Sequence, residues 1–218
     1  MPKTPLILAF DTSAAHCAAA LLSGDQIVAS ILEPMAKGQG ERLLGLCGDV
    51  LEQAEVTYQD LTAIGVGIGP GNFTGIRISV SAARGLALGL GIPAIGVSQL
   101  EALAHGTDDV VIASVDARQD KMFVQVFGTL DDRPPTMCSL DELPMIPTRA
   151  DPKCVGYQAD MIATLTNGTV CEPLMPRADA IAHIAASRAS HDNPRPAPLY
   201  LRPADAAPAR DAPPTILP

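Results

Sequence analysis

The sequence predicts an α/β fold in which helices cover the faces of a mixed sheet. Apolar runs and helical periods follow one another in the order βββαβαβα through the first half of the chain. The opening hairpins give antiparallel pairs, and the later helices allow parallel ones. Fourteen of the 18 glycines lie before residue 100, which is typical of tightly turned connections in such a lobe.

Each element of the first half has a local signal. Leu6–Phe10 is an apolar run closed by Asp11, and Ser23-Gly24-Asp25 marks a turn between two further apolar runs. Ser98 is typical of a helix N-cap. The predicted strands are 6–10, 18–22, 26–31, 61–68 and 93–97, and the predicted helices are 40–53, 74–90 and a short one ending at 103.

The second half is patterned more weakly. Strands are predicted at 110–115, 122–127 and 153–156, with a hairpin at Arg118-Gln119-Asp120, and helices at 159–165 and 178–189. Apolar patterning pauses at 105–109, so we predict a first lobe over 1–105 and a smaller second lobe over 106–202. Pro and Ala dominate 203–218, where we expect a mobile tail, because proline lacks the N–H that helices and strands need.

Composition limits the function classes. The 218 residues carry a net charge of −9, which argues against a polynucleotide-binding surface on the chain itself. The most apolar stretch, 78–95, contains Arg84 and three glycines, and is a poor membrane span. The five cysteines are widely spaced, which favours reduced, buried thiols and a cytoplasmic location.

The glycine-rich segment 65–75 has two interpretations. A strand, a glycine turn and a helix N-terminus can together hold an anion, with Gly69 and Gly71 as weak cofactor candidates. The spacing matches neither G-x-G-x-x-G nor a P-loop. The alternative is a tight connection that lets the helix pack close to the sheet.

Asp11-Thr12-Ser13, just after the first strand, is open to a similar pair of interpretations. An aspartate there could hold a metal or polarise a water in an actin-like ATPase. Such enzymes have glycine after the aspartate, whereas Thr12 and Ser13 follow here. We therefore favour an Asx or Ser/Thr turn.

The histidines give no sign of a metal site. No two of them share metal-ligand spacing, and we interpret each as isolated, in a surface or capping role. They are His16, His105, His183 and His191.

The two longer helices of the first half carry many glycines, each costing up to about 1 kcal/mol relative to alanine inside a helix. We interpret them as sites of close helix–helix approach. Arg77 and Arg84 are seven residues apart on one face with Ser81 between them, which indicates an interface rim or a solvated face. The glycines are 38, 40, 45 and 48 around the first helix, and 75, 85, 89 and 91 around the second.

Several segments together resemble the TsaB (YeaZ) family of bacterial tRNA threonylcarbamoyladenosine biosynthesis proteins. The most specific is Gly-Pro-Gly-Asn-Phe-Thr-Gly-Ile-Arg at 69–77. The others are Ile7–Ser13, Gly40–Leu44, Gly85–Ala87, Gly96–Ala104, Asp116–Arg118 and, more weakly, Pro198–Arg202.

The resemblance implies an ASKHA (actin-like ATPase) fold of two ribonuclease-H-like lobes. It also implies a non-catalytic scaffold that pairs with the catalytic paralogue TsaD, is joined by the small ATPase TsaE, and meets tRNA only through that complex. Helices of the first lobe would form the contact, and the same surface could make a homodimer. Our candidate contacts there are Glu41, Leu44, Arg77, Ser81 and Arg84.

A metal-binding histidine pair of the paralogue aligns with Gln99 and Leu103, neither of which can replace an imidazole. This disfavours both catalysis and a metallopeptidase. One departure is Gln39-Gly40-Glu41, where the family often has a histidine in the first position. The alternative from another class is a nucleotide-binding phosphotransferase that uses Asp11 and the 67–71 turn.

Overall fold

The computed structural model describes residues 4–129, 133–143, 151–189 and 193–201. His191, Arg202 and the predicted tail at 203–218 lie outside this part of the chain. The first sheet has the order β3-β2-β1-β4-β5, in which β1 to β3 are antiparallel and β4 and β5 run parallel to β1. Its strands are Leu6–Asp11 (β1), His16–Ser23 (β2), Gln26–Pro34 (β3), Ala63–Gly67 (β4) and Ala94–Val97 (β5).

Three helices belong to the first half: Gln39–Gln53 (α1), Phe73–Leu90 (α2) and Gln99–Ala104 (α3). The Asn72 side chain caps α2 by accepting a hydrogen bond from Gly75 N. Ser98 caps α3, as predicted, and Glu101 completes a capping box. Gly91 ends α2 in the left-handed conformation, with φ 67°.

The second sheet repeats the topology of the first. Its order is β10-β9-β6-β7-β8, with β6 to β8 antiparallel and β9 parallel to β6. This confirms the predicted pair of lobes with mixed sheets flanked by helices. The elements are Val111–Arg118 (β6), Lys121–Phe127 (β7), Thr136–Ser139 (β8), Lys153–Gly156 (β9), Thr169–Val170 (β10), Ala159–Thr166 (α4) and Arg177–Arg188 (α5).

The last helix of each half packs on the other half. Leu100 and Leu103 of α3 lie in a core cluster with residues of β6, β7 and β9. Ile181 and Ile184 of α5 pack against β1, β4 and β5 of the first sheet. Ser30 donates a 2.6 Å hydrogen bond from β3 to Asp179 of α5. The range 106–202 therefore contains the second sheet, but its last helix covers the first.

Two strands of the second sheet were not predicted from the sequence. β8 has four residues and β10 only two, too short for an alternating apolar pattern. The predicted hairpin at 118–120 is present, and its three residues have left-handed φ values of 62°, 54° and 56°. In the part of the chain that the structure describes, no helix is long and apolar enough to cross a bilayer.

Candidate partner-binding face and the buried Asp11 cluster

The five predicted contact residues are all exposed on α1 and α2. Glu41 and Leu44 lie on α1, and Leu44 is 53% exposed. Arg77, Ser81 and Arg84 follow one another along α2 at the spacing of a single helix face. The structure thus gathers all five on one pair of neighbouring helices, which we call the α1–α2 face.

Sequence analysis missed Leu88, which is 81% exposed and is the most exposed large apolar residue among those described. It lies one helical turn beyond Arg84, so it extends the row of Arg77, Ser81 and Arg84. The spacing was available in the sequence, but Leu88 alone does not differ from a core leucine.

The helix glycines serve several purposes, and close helix–helix approach accounts for only part of them. Gly38 and Gly91 are caps with positive φ, outside the helices. Gly40 packs toward α2, because a Cβ there would lie 3.7 Å from Ile78 Cδ1. A Cβ added at Gly85 or Gly89 would have no atom of the described residues within 4 Å, so the surface of α2 is low and unobstructed at these two positions.

Asp11 is fully buried, and its carboxylate is surrounded by side chains of this chain. Gln99 Nε2 donates to Oδ1 at 2.6 Å, and Ser13 Oγ donates to Oδ2 at 3.0 Å. His16 Nε2 lies 2.7 Å from the same Oδ2. Both carboxylate oxygens therefore have side-chain partners within this chain.

The glycine turn at 67–71 packs directly onto the Asp11 turn. A Cβ on Gly67 would lie 2.1 Å from Asp11 Oδ1, so glycine is required there. Ser13 O accepts from Asn72 N at 2.7 Å, and Thr12 Oγ1 donates to Gly75 O at 2.7 Å. The backbone after β1 thus occupies the space beside the start of α2. Gly69, with φ 93°, and Gly71 form the connection itself.

Gln99 and Leu103, the positions aligned with the paralogue's histidines, are both buried. The amide nitrogen of Gln99 is bonded to Asp11, and its Oε1 has no hydrogen-bond partner among the described residues. Within those residues no group of three metal-ligating side chains comes together.

The interpretation of each histidine as isolated is wrong for the three that the structure describes. The rings of His105 and His183 stack with centroids 6.0 Å apart, and His16 is paired with Asp11. Burial, with smaller effects from His183 and Arg188, lowers the pKa of His105 below its ordinary value. His105 and His183 are far apart in the sequence, so residue spacing could not predict that their rings stack. His16, by contrast, lies close to Asp11 in the sequence.

The thiols are buried, as predicted, except Cys171, which is half-buried. Burial raises the pKa of Cys17 to about 11, with a smaller contribution from Glu33. Burial also raises the pKa of Cys47. Thiols of this kind are poor nucleophiles, because the thiolate is the reactive form.

The chain is similar to known proteins both in sequence and in fold. The family model described as "TsaD: tRNA N6-adenosine threonylcarbamoyltransferase" matches residues 33–143, about half of the chain. The chain is 37% identical over 122 residues to the tRNA threonylcarbamoyladenosine biosynthesis protein TsaB of Escherichia coli K12, a match that covers 54% of this chain and 52% of that protein. The chain thus spans about half the length of the curated relatives it matches.

Two solved structures show the fold. A protein from Pseudomonas aeruginosa with similarity to peptidase YeaZ is 27% identical, with a TM-score of 0.74 over 91% of this chain and 100% of that one. Component A of the (R)-2-hydroxyglutaryl-CoA dehydratase of Acidaminococcus fermentans is 12% identical, with a TM-score of 0.53 over 85% and 99% of the chains. The second likeness concerns the fold alone, and together the two confirm the predicted ASKHA-type architecture.

Proposed function

Since the chain belongs to the family that this model describes, and within it to the TsaB/YeaZ proteins, we propose that it is a non-catalytic scaffold subunit in tRNA threonylcarbamoyladenosine biosynthesis. In this proposal it pairs with a TsaD-like catalytic paralogue, and the pair recruits a TsaE-like ATPase. Transfer RNA then meets the chain only through that complex, in keeping with its net charge of −9.

The observation that carries the proposal is the open α1–α2 face. It combines the exposed Leu44 and Leu88 with the low surface at Gly85 and Gly89. Two helices of a partner with the same fold could approach such a surface closely and complete a four-helix contact. Another copy of this chain presents the same face, so we also propose that the isolated protein can form a homodimer through it.

The Asp11 cluster supports a role without chemistry of its own. In the alternative, a nucleotide-binding phosphotransferase, Asp11 would need a free oxygen for a metal or a water. Its two oxygens are instead bonded to Gln99, Ser13 and His16. The alternative predicts tight binding of Mg-ATP by the chain alone, with loss in Asp11→Ala, and calorimetric titration tests it.

The first experiment is light scattering on a size-exclusion column, with this protein alone and then mixed with the TsaD-like paralogue of the same organism. We expect a one-to-one complex. In Leu44→Asp and Leu88→Asp we expect affinity to fall about tenfold or more, because each places a charge in a packed contact. Leu165→Asp, on the exposed surface of α4, is the matched control and should bind normally. Failure of the wild-type proteins to associate would overturn the proposal.

A further inference from the structure

A short segment after α5 is held by both lobes. Residues 193–201, here called the strap, end this part of the chain. Leu199 N donates to Ile68 O at 2.8 Å, just after β4. Leu201 packs against the core cluster that contains Leu100 of α3 and residues of the second sheet. Tyr200 lies between these two anchors, so the strap fixes the position of its backbone.

Tyr200 reaches the first turn of α2. Arg77 Nε donates a 2.8 Å hydrogen bond to the Tyr200 hydroxyl oxygen. The guanidinium carbon of Arg77 lies 3.8 Å from the centroid of the Phe73 ring, and the Phe73 and Tyr200 rings are 5.2 Å apart. The arginine is thus held by a hydrogen bond on its Nε and by a cation–π contact on one face.

The cluster of Phe73, Arg77 and Tyr200 remains accessible to solvent although its side chains contact one another. Phe73 is 52% exposed and Tyr200 is 47% exposed. Aromatic residues and arginine are enriched in binding hot spots, and this cluster exposes two aromatic rings beside an arginine. The hydrogen bond to Tyr200 uses Nε and leaves the two terminal amino groups of Arg77 without a partner among the described residues.

We propose that Tyr200 is a positioning residue, which holds Arg77 so that its two terminal amino groups bind a carboxylate of the paralogue. A guanidinium binds a carboxylate with two parallel hydrogen bonds, and fixing the arginine beforehand lowers the entropy lost on binding. Arg77 lies on the α1–α2 face, in one row with Ser81 and Arg84, so the inference rests on the proposed function. The chain's net charge of −9 favours a protein carboxylate over an RNA phosphate.

The test is a double-mutant cycle on affinity for the TsaD-like paralogue, measured by calorimetry with the full chain. Tyr200→Phe removes the hydroxyl and keeps the ring, and we expect about a three- to fivefold loss. Arg77→Ala should lose about tenfold or more, and the double variant no more than Arg77→Ala. Arg77→Lys should not restore affinity, because an ammonium lacks the planar fork. Tyr157→Phe, on the second lobe, is the matched control.

A salt series adds a readout that a purely structural role would not move. Wild-type affinity should fall as salt rises, and it should fall less steeply in Arg77→Ala, because an ion pair has been removed. Thermal unfolding of Tyr200→Phe should match that of the wild type.

The outcomes separate this inference from the proposed function. The inference alone is overturned if the wild-type complex forms and Leu44→Asp weakens it, but Tyr200→Phe and Arg77→Ala leave its affinity unchanged. Additive losses in the double variant overturn the positioning role of Tyr200. If Arg77→Ala leaves the affinity for the paralogue unchanged but weakens tRNA binding by the complex, Arg77 binds a phosphate, and the proposal of a carboxylate ligand is wrong. No wild-type complex at all overturns both.

Discussion

Gln99 Nε2 donates a 2.6 Å hydrogen bond to Asp11 Oδ1, across 88 residues of chain. This bond ties the start of α3 to the end of β1 in the fully buried centre of the first lobe. A buried carboxylate that loses a donor keeps the cost of its desolvation. The contact therefore links the stability of the first lobe to the position that aligns with a metal ligand in the paralogue.

We expect Gln99→Glu to lower the free energy of unfolding by about 2–4 kcal/mol at pH 7, because it replaces a donor with a second carboxylate. Urea denaturation measures the loss. The loss should shrink as the pH falls and one carboxyl becomes protonated. Gln53→Glu, at the exposed end of α1, is the control and should change stability little. Equal effects at the two sites would contradict the structural role of the bond.

Gly67→Ala and Gly85→Ala should change stability in opposite directions. A Cβ at Gly67 collides with Asp11 Oδ1 and with Gln99 Nε2, so we expect a loss of about 2–3 kcal/mol. A Cβ at Gly85 would contact none of the described residues, and alanine should stabilise α2 by about 0.5–1 kcal/mol. Thermal and urea unfolding of both variants check this. A destabilised Gly85→Ala would show that the glycine has a role within the single chain.

Stability should depend on His105 below neutral pH. Burial lowers its folded pKa below the ordinary value of 6.5, so between the two values the unfolded chain binds more protons. The contribution is fully present above pH 6.5 and is lost as the pH falls through the folded pKa. We expect His105→Gln to be less pH-sensitive than the wild type by about 0.5 kcal/mol between pH 7.5 and 5.5, since the site is partly solvated. Urea titrations at several pH values measure it, and parallel profiles would contradict it.

Thiol labelling should find Cys171 first. It is half-buried, whereas the other four cysteines are buried, and burial raises the pKa of Cys171 as well. With a thiol reagent at pH 7.5 we expect one slow modification in the native protein and five in denaturant, counted by intact mass. Cys171→Ser should abolish the native modification. Rapid labelling of several sites would show that the native lobes open readily.

The sequence could predict much of the first lobe, because its elements have strong local signals. The Ser98 cap and the Gly24 turn are such signals, and both were found where expected. Contacts between remote residues have no local signal. The Tyr200–Arg77 bond spans 123 residues and the Ser30–Asp179 bond spans 149, so neither could be predicted from spacing.

Part of the candidate site could also be predicted from the sequence, and part of it could not. Helical periodicity placed Arg77, Ser81 and Arg84 on one exposed row, which the structure shows. It could not separate glycines that cap a helix, such as Gly91, from those that open its surface, such as Gly85, because that depends on the backbone conformation and the neighbours. Whether a partner covers this row stays a prediction.

The exchange of α3 and α5 makes the two halves dependent on each other. If the chain is divided between residues 105 and 109, the first fragment loses the helix that covers Ile7 and Ala9 of β1. The second fragment loses Leu100 and Leu103 from its core. Each piece would then expose an apolar sheet surface to water and favour aggregation over folding. The exchange of these helices therefore makes the two halves one cooperative folding unit, and we expect neither half to fold alone.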